Sequence, residues 1–102
     1  MISIDGGSGA ILKIAVVGCG HWGKNLVRAF HECGALAAVH DANIEATGKL
    51  AKEYGVRVVS FSELLTDDAI PGVVIATPAE THFQLAYEAL AADKHVFVEK
   101  PL

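Results

Sequence analysis

The sequence predicts a doubly wound α/β domain with a parallel sheet, and three observations predict it. Short apolar runs alternate with helix-length amphipathic stretches, an order that calls for right-handed crossovers and helices on both faces of one sheet. The first run breaks into Gly18-Cys19-Gly20-His21-Trp22-Gly23, the spacing G-x-G-x-x-G, and a helical stretch follows at once. An acid, Asp41, closes the second run 18 positions beyond Gly23. Together these select a Rossmann-type sheet with strand order 3-2-1-4-5, truncated after the fifth strand.

Taken in order, residues 1–10 read as a flexible leader, because Asp5-Gly6-Gly7-Ser8-Gly9 is turn composition with little apolar surface to pack. Residues 11–102 carry the domain. Leu12 to Val17 is the first strand, nearly all apolar as a parallel strand covered on both faces should be. Leu26, Val27, Phe30 and Cys33 make the apolar stripe of the first helix, and Gly34 ends it. Ala35 to His40 is the second strand. Ile44, Thr47, Leu50, Ala51 and Tyr54 mark a second helix from Asn43 to Gly55, and Val56 to Val59 is the third strand. Ser60 with Glu63 three residues later predicts a capping box and a short helix through Leu65. Gly72 to Ala76 is the fourth strand, Thr77 to Glu80 a loop, and Phe83, Ala86, Tyr87 and Leu90 the stripe of a fourth helix. His95 to Val98 is the fifth strand, which runs into Glu99-Lys100-Pro101-Leu102.

The glycine spacing has a physical purpose. Gly18 lets the chain turn tightly off the strand, Gly20 clears the backbone for a pyrophosphate, and Gly23 lets helix pack close to strand. The first helical N–H groups would then face the phosphates. Asp41 is placed to accept hydrogen bonds from both hydroxyls of an adenosine ribose and to repel a 2′-phosphate. Ala42, Asn43 and Ile44 follow it with no Arg or Lys among them, so NAD is expected rather than NADP. Asp41 also suits the N-cap of the second helix.

Ligands of this fold lie beyond the carboxyl ends of the strands, where strands 1 and 4 diverge. Thr77-Pro78-Ala79-Glu80-Thr81-His82 and Glu99-Lys100-Pro101 both fall there. A lysine at the nicotinamide end could polarise a substrate oxygen. The plainer reading makes His82 a surface histidine and Glu99-Lys100 a solvated pair.

The glycine turn, Asp41, Thr77-Pro78 with His82, and Glu99-Lys100-Pro101 together resemble the Gfo/Idh/MocA oxidoreductases, from about Ile11 to the end of the chain. The Glu-Lys-Pro motif is the more specific part. The resemblance implies Lys100 as the active-site lysine on the substrate hydroxyl, Glu99 near the nicotinamide ribose, and Thr77, Pro78 and His82 along the nicotinamide half. It also implies contacts from His21 and Trp22 to the pyrophosphate and its neighbourhood. Residues 22–28 are similar to members that oxidise C3 of nucleotide-linked N-acetyl sugars for surface polysaccharides. Such enzymes continue into a second α/β domain that builds the substrate pocket and the oligomer interface. The 102 residues are therefore expected to be the NAD-binding piece of a homo-oligomeric dehydrogenase of sugars or polyols, inactive alone.

Composition narrows the classes. Apolar residues are 52%, charged residues 20%, and the net charge is −4, which argues against nucleic acid or an anionic membrane as partner. No apolar run approaches a bilayer span, and the N-terminus lacks a signal-peptide pattern, so a cytoplasmic setting is expected. Cys19 and Cys33 would be separated by roughly 20 Å of helix, beyond disulfide reach. Cys33 is expected in the core and Cys19 in the turn, with no metal site. A non-catalytic nucleotide-binding module is the competing class; it explains the turn and Asp41 but gives no reason for Glu99-Lys100-Pro101.

Overall fold

The computed structural model describes residues 12–99, apart from the side chains of His21 and Trp22. Nine elements follow the chain: β1 (Ile14–Val17), α1 (His21–Glu32), β2 (Leu36–His40), α2 (Ile44–Tyr54), β3 (Arg57–Val58), α3 (Phe61–Thr66), β4 (Gly72–Ile75), α4 (Ala79–Ala91) and β5 (His95–Val98). The strands form one sheet in the order β3-β2-β1-β4-β5, and every pairing is parallel. The expected topology is the observed one. The leader and Lys100-Pro101-Leu102 lie outside the described residues.

Strand alternation divides the core into two layers. Ile14 and Val16 of β1 face Val27 and Phe30 of α1 and Leu50 of α2. Ala15 and Val17 face the other way, toward Leu64 of α3 and Ala89 of α4. Both faces of β1 are therefore covered, which is why its sequence is apolar at every position. Burial of these aliphatic side chains, worth about 1.5–3 kcal/mol each when complete, is the main force holding sheet to helices.

Local chemistry fixes the helix ends. Asn43 caps α2 by accepting from the Ala46 N–H at 3.1 Å, and Gly55 closes it with φ +66°. The capping box forms as the sequence demands: the Glu63 N–H donates to Ser60 Oγ at 3.1 Å and the Ser60 N–H donates to Glu63 Oε1 at 2.9 Å. Lys94 is buried at the start of β5. Its ammonium donates to the Asp67 and Ile70 carbonyls, each at 2.7 Å, which satisfies the charge and ties the α3–β4 loop to β5.

Three expectations about burial are corrected. Cys33 is exposed rather than in the core, because α1 ends at Glu32 and Gly34 (φ +75°) turns the chain into β2. Ile44, the first residue of α2, is 77% exposed, and the residues that the helix buries are Thr47 and Leu50. In α4, Phe83, Tyr87 and Leu90 are 79%, 63% and 60% exposed. The face turned to the sheet is Leu85, Ala86 and Ala89, whose alanines let the helix approach closely. The fourth helix also begins earlier than expected, taking Ala79 and Glu80 into its first turn. Among the described residues no helix is long and apolar enough to cross a membrane.

Two glycines make opposite predictions. A methyl on Gly48, inside α2, would meet nothing within 4 Å, so Gly48→Ala should stabilise the fold by about 0.5–1 kcal/mol. A methyl on Gly23 would fall on the Gly18 carbonyl oxygen, and Gly23→Ala should cost about 3 kcal/mol or more. Urea unfolding midpoints separate them; equal midpoints for the two variants would contradict this packing.

Candidate functional site

The site is built where β1 ends. Gly18 has φ +100°, and a Cβ there would come within 2.7 Å of the Ala76 carbonyl carbon and 2.8 Å of the Thr77 nitrogen. The glycine thus serves two needs, a left-handed turn and the approach of the β1 turn to the end of β4. Gly20 is the N-cap of α1 and offers no side-chain cap, and no acidic side chain stands in the first turn of that helix. A Cβ on Gly20 would find open space. The amino end of α1 thus sets no acidic side chain against an anionic ligand group.

Asp41 locks the turn to the end of β2. Its Oδ2 accepts from the Cys19 N–H at 2.6 Å and its Oδ1 accepts from the Asn43 N–H at 2.8 Å. Since Asn43 caps α2, the carboxylate is not that helix's N-cap. Both oxygens are oriented by backbone donors and keep lone pairs for a ligand. Cys19 lies buried beneath, its Sγ donating to the His40 carbonyl at 3.7 Å. Burial, reinforced by the Asp41 charge and partly offset by that hydrogen bond, pushes the thiol up to about 11.

These groups open onto a cleft of about 660 Å³ between the carboxyl ends of β1, β2 and β4 and the first turns of α4. Gly18, Gly20, Asp41, Thr77 and Pro78, all expected from the sequence, line it together. Gly23 packs behind the turn rather than on the cleft. His82 is not on the lining; its Nε2 bonds the Thr77 carbonyl at 2.6 Å and so holds the loop from behind. Glu99 extends the ladder past β5, its N–H donating to the Ile75 carbonyl at 2.9 Å, with an exposed side chain beside the end of β4. The His21 and Trp22 backbone forms the start of α1. Lys100 lies outside the described residues.

Sequence reasoning missed His40, Gln84 and Leu85, which also line the cleft. The signal for His40 was a polar residue ending an apolar strand; its Nδ1 bonds the Val59 carbonyl at 2.8 Å, bracing β2 against the segment after β3. Gln84 and Leu85 continue the α4 surface begun by Glu80 and Thr81. Among the described residues no group of His, Cys, Asp and Glu could hold a metal ion. A cleft with a bare helix terminus at its centre and an oriented carboxylate at one end fits a dinucleotide.

A family model described as "Oxidoreductase family, NAD-binding Rossmann fold" matches residues 12–102. The chain is 41% identical over 96 residues to inositol 2-dehydrogenase 2 of Saccharopolyspora erythraea, covering 89% of this chain and 28% of that protein. It is 32% identical over 90 residues to UDP-N-acetylglucosamine 3-dehydrogenase of Acidithiobacillus ferrooxidans, covering 88% and 28%. A crystal structure of that enzyme, GnnA, superposes with a TM-score of 0.79 over 87% of this chain and 28% of the other. GenD2 from gentamicin A biosynthesis, solved in complex with NAD, gives 0.82 at 37% identity over 89% of this chain and 27% of that one. The chain thus spans little more than a quarter of the length of these relatives.

The two thiols should differ sharply. With its thiol raised to about 11, Cys19 is only about one part in a thousand thiolate at pH 8. Iodoacetamide should label exposed Cys33 in the native protein and reach Cys19 only in denaturant. Equal labelling rates at pH 8 would show that the turn does not shield Cys19.

Proposed function

The chain belongs to the Gfo/Idh/MocA family of oxidoreductases, as an NAD-binding Rossmann domain, and from that membership we propose a more specific role. It is the cofactor-binding part of an NAD-dependent dehydrogenase that oxidises or reduces a hydroxyl-bearing carbon of a sugar or polyol. The observation that carries this is the single cleft shared by the glycine turn, Asp41 and Thr77-Pro78. Dehydrogenases of inositol and of UDP-N-acetylglucosamine among the relatives support the substrate class, and C3 of a nucleotide-linked N-acetyl sugar is the finer choice.

In this reading the nicotinamide, when bound, supplies the hydride acceptor or donor. Asp41 accepts from the adenosine ribose hydroxyls, and its charge disfavours a 2′-phosphate. The amino end of α1, from Gly20 to Gly23, takes the pyrophosphate, with the His21 and Trp22 backbone in its first turn. Thr77, Pro78 and His82 serve the nicotinamide half, and Glu99 its ribose. Lys100 holds the substrate oxygen and stabilises negative charge on it. The substrate pocket, the proton acceptor and the oligomer interface come from a second domain beyond these residues, and the setting is the cytoplasm.

Calorimetric titration tests the cofactor assignment. Asp41→Ala should weaken NAD by about tenfold or more, since charge-assisted hydrogen bonds are lost, and NADP by less. An unchanged ratio of the two affinities would remove Asp41 from ribose recognition. In the longer enzyme carrying this segment, Lys100→Met should lower kcat by about 10²-fold or more. Normal turnover in that variant would take Lys100 out of the mechanism, and NAD binding without turnover on any sugar or polyol would favour a nucleotide-sensing module.

A further inference from the structure

His40 ends β2 and borders the cleft, and one of its ring nitrogens is already engaged. Nδ1 lies 2.8 Å from the Val59 carbonyl oxygen. A carbonyl has no proton to give, so Nδ1 carries the hydrogen and donates it. In the neutral imidazole Nε2 is then a bare lone pair, an acceptor only. Phe61 packs beside the imidazole, ring centroids 6.2 Å apart, and helps to hold its orientation. Nε2 has no hydrogen-bond partner among the described residues, and none of their buried side-chain nitrogens or oxygens is left without one. Nε2 of this partly buried residue therefore opens to solvent, and the space that His40 borders is the cleft.

The surroundings of that lone pair suit a flat base. Val17, Ala42, Ala76, Pro78 and Leu85 give the same cleft apolar walls, the lining that aromatic ring systems bury against. Asp41, the next residue, is the proposed partner of the adenosine ribose hydroxyls. The base carried by that ribose then falls beside the neighbours of Asp41 on the cleft, His40 and Ala42. Adenine presents an exocyclic amino group, a donor, at the ring position where guanine presents a carbonyl, an acceptor. A fixed acceptor tells these two apart. Gln84, also on the cleft, carries an amide that can turn to offer either a donor or an acceptor, and so makes no such choice.

We propose that His40 is a specificity-determining residue for the base of the dinucleotide. Its Nε2 accepts from the adenine amino group and turns away a 6-oxo purine, whose carbonyl would set one lone pair against another. The Val59 carbonyl takes part by fixing the tautomer through Nδ1. The adenosine end of the cleft is then selective twice over: Asp41 reads the 2′ position of the sugar, and His40 reads the base. The inference rests on the NAD reading given above.

The test is calorimetric titration at pH 8, where an ordinary imidazole is neutral, with NAD and with nicotinamide hypoxanthine dinucleotide. The two ligands differ only in the base, where a carbonyl replaces the adenine amino group. Wild type should favour NAD by about tenfold, the usual worth of one hydrogen bond. His40→Asn sets an amide nitrogen near the place of Nδ1, keeping a donor for the Val59 carbonyl, and removes Nε2. It should bring the two affinities within about threefold, through weaker NAD binding. His40→Gln, whose amide can offer either group, should do the same through better binding of the hypoxanthine dinucleotide. A merely structural histidine would weaken both ligands alike and leave their ratio unchanged. A wild-type preference for NAD below about threefold, or a ratio in both variants as large as in wild type, overturns the inference alone. A wild-type chain that binds neither ligand overturns the NAD reading itself. Melting temperatures of the ligand-free variants are recorded alongside. Where both variants melt much lower than wild type, NMR of the wild-type imidazole nitrogens decides: the Nε2 signal should move further with NAD than with the hypoxanthine dinucleotide at equal saturation, and equal movement overturns the inference.

Discussion

The cleft exists because two stretches of backbone meet without side chains between them. Gly18 lies against the Ala76–Thr77 peptide, and Gly23 lies against the Gly18 carbonyl. Any Cβ at either position would push the β1 turn away from β4 or α1 away from β1. The parallel pairing of β1 with β4, Ile14 beside Gly72 through Val17 beside Ile75, brings those stretches to the same level. Three polar groups are then placed by strands that end there, Asp41 by β2, Thr77 by β4 and Glu99 by β5, while Glu80, Thr81 and Gln84 come from the start of α4.

Charge is arranged on that frame with economy. The Asp41 carboxylate is oriented by the Cys19 and Asn43 N–H groups, so its lone pairs are directed before a ligand arrives, which reduces the ordering that binding must impose. The same carboxylate helps keep the Cys19 thiol protonated. A cysteine in a nucleotide turn is thereby made a small apolar filler rather than a nucleophile. On the opposite wall His82 and Thr81 do for Thr77 what the amides do for Asp41.

Features that depend on near neighbours in the chain were legible in the sequence. The Asn43 and Gly55 ends of α2 and the Ser60–Glu63 box rest on contacts within a few residues, where residue type and spacing carry the geometry, and the glycine turn was legible from its spacing although distant neighbours hold it. A parallel sheet followed from alternation and chirality, and its strand order from the glycine turn that selects the dinucleotide-binding version. Features that depend on distant neighbours were not legible. Nothing around Lys94 announces that its ammonium will meet carbonyls at 67 and 70. The stripe expected for α4 joined Ala86 to Phe83, Tyr87 and Leu90, whereas the sheet takes Ala86 with Leu85 and Ala89.

The pairing of β1 with β4 also bears on how the domain folds. These strands are neighbours in space while β2, β3 and three helices intervene in the chain, so their contact closes the longest loop of the β1–β2–β3 half and comes at a high entropic cost. The α1–α2 layer can gather around β1 and β2 earlier, through nearer contacts. The cleft needs both walls, and so exists only once β4 has paired with β1. A ligand held there engages only the completed sheet, so its binding energy is added to the stability of the whole domain rather than to one loop. Occupancy of the site becomes a measure of whether the chain has finished folding.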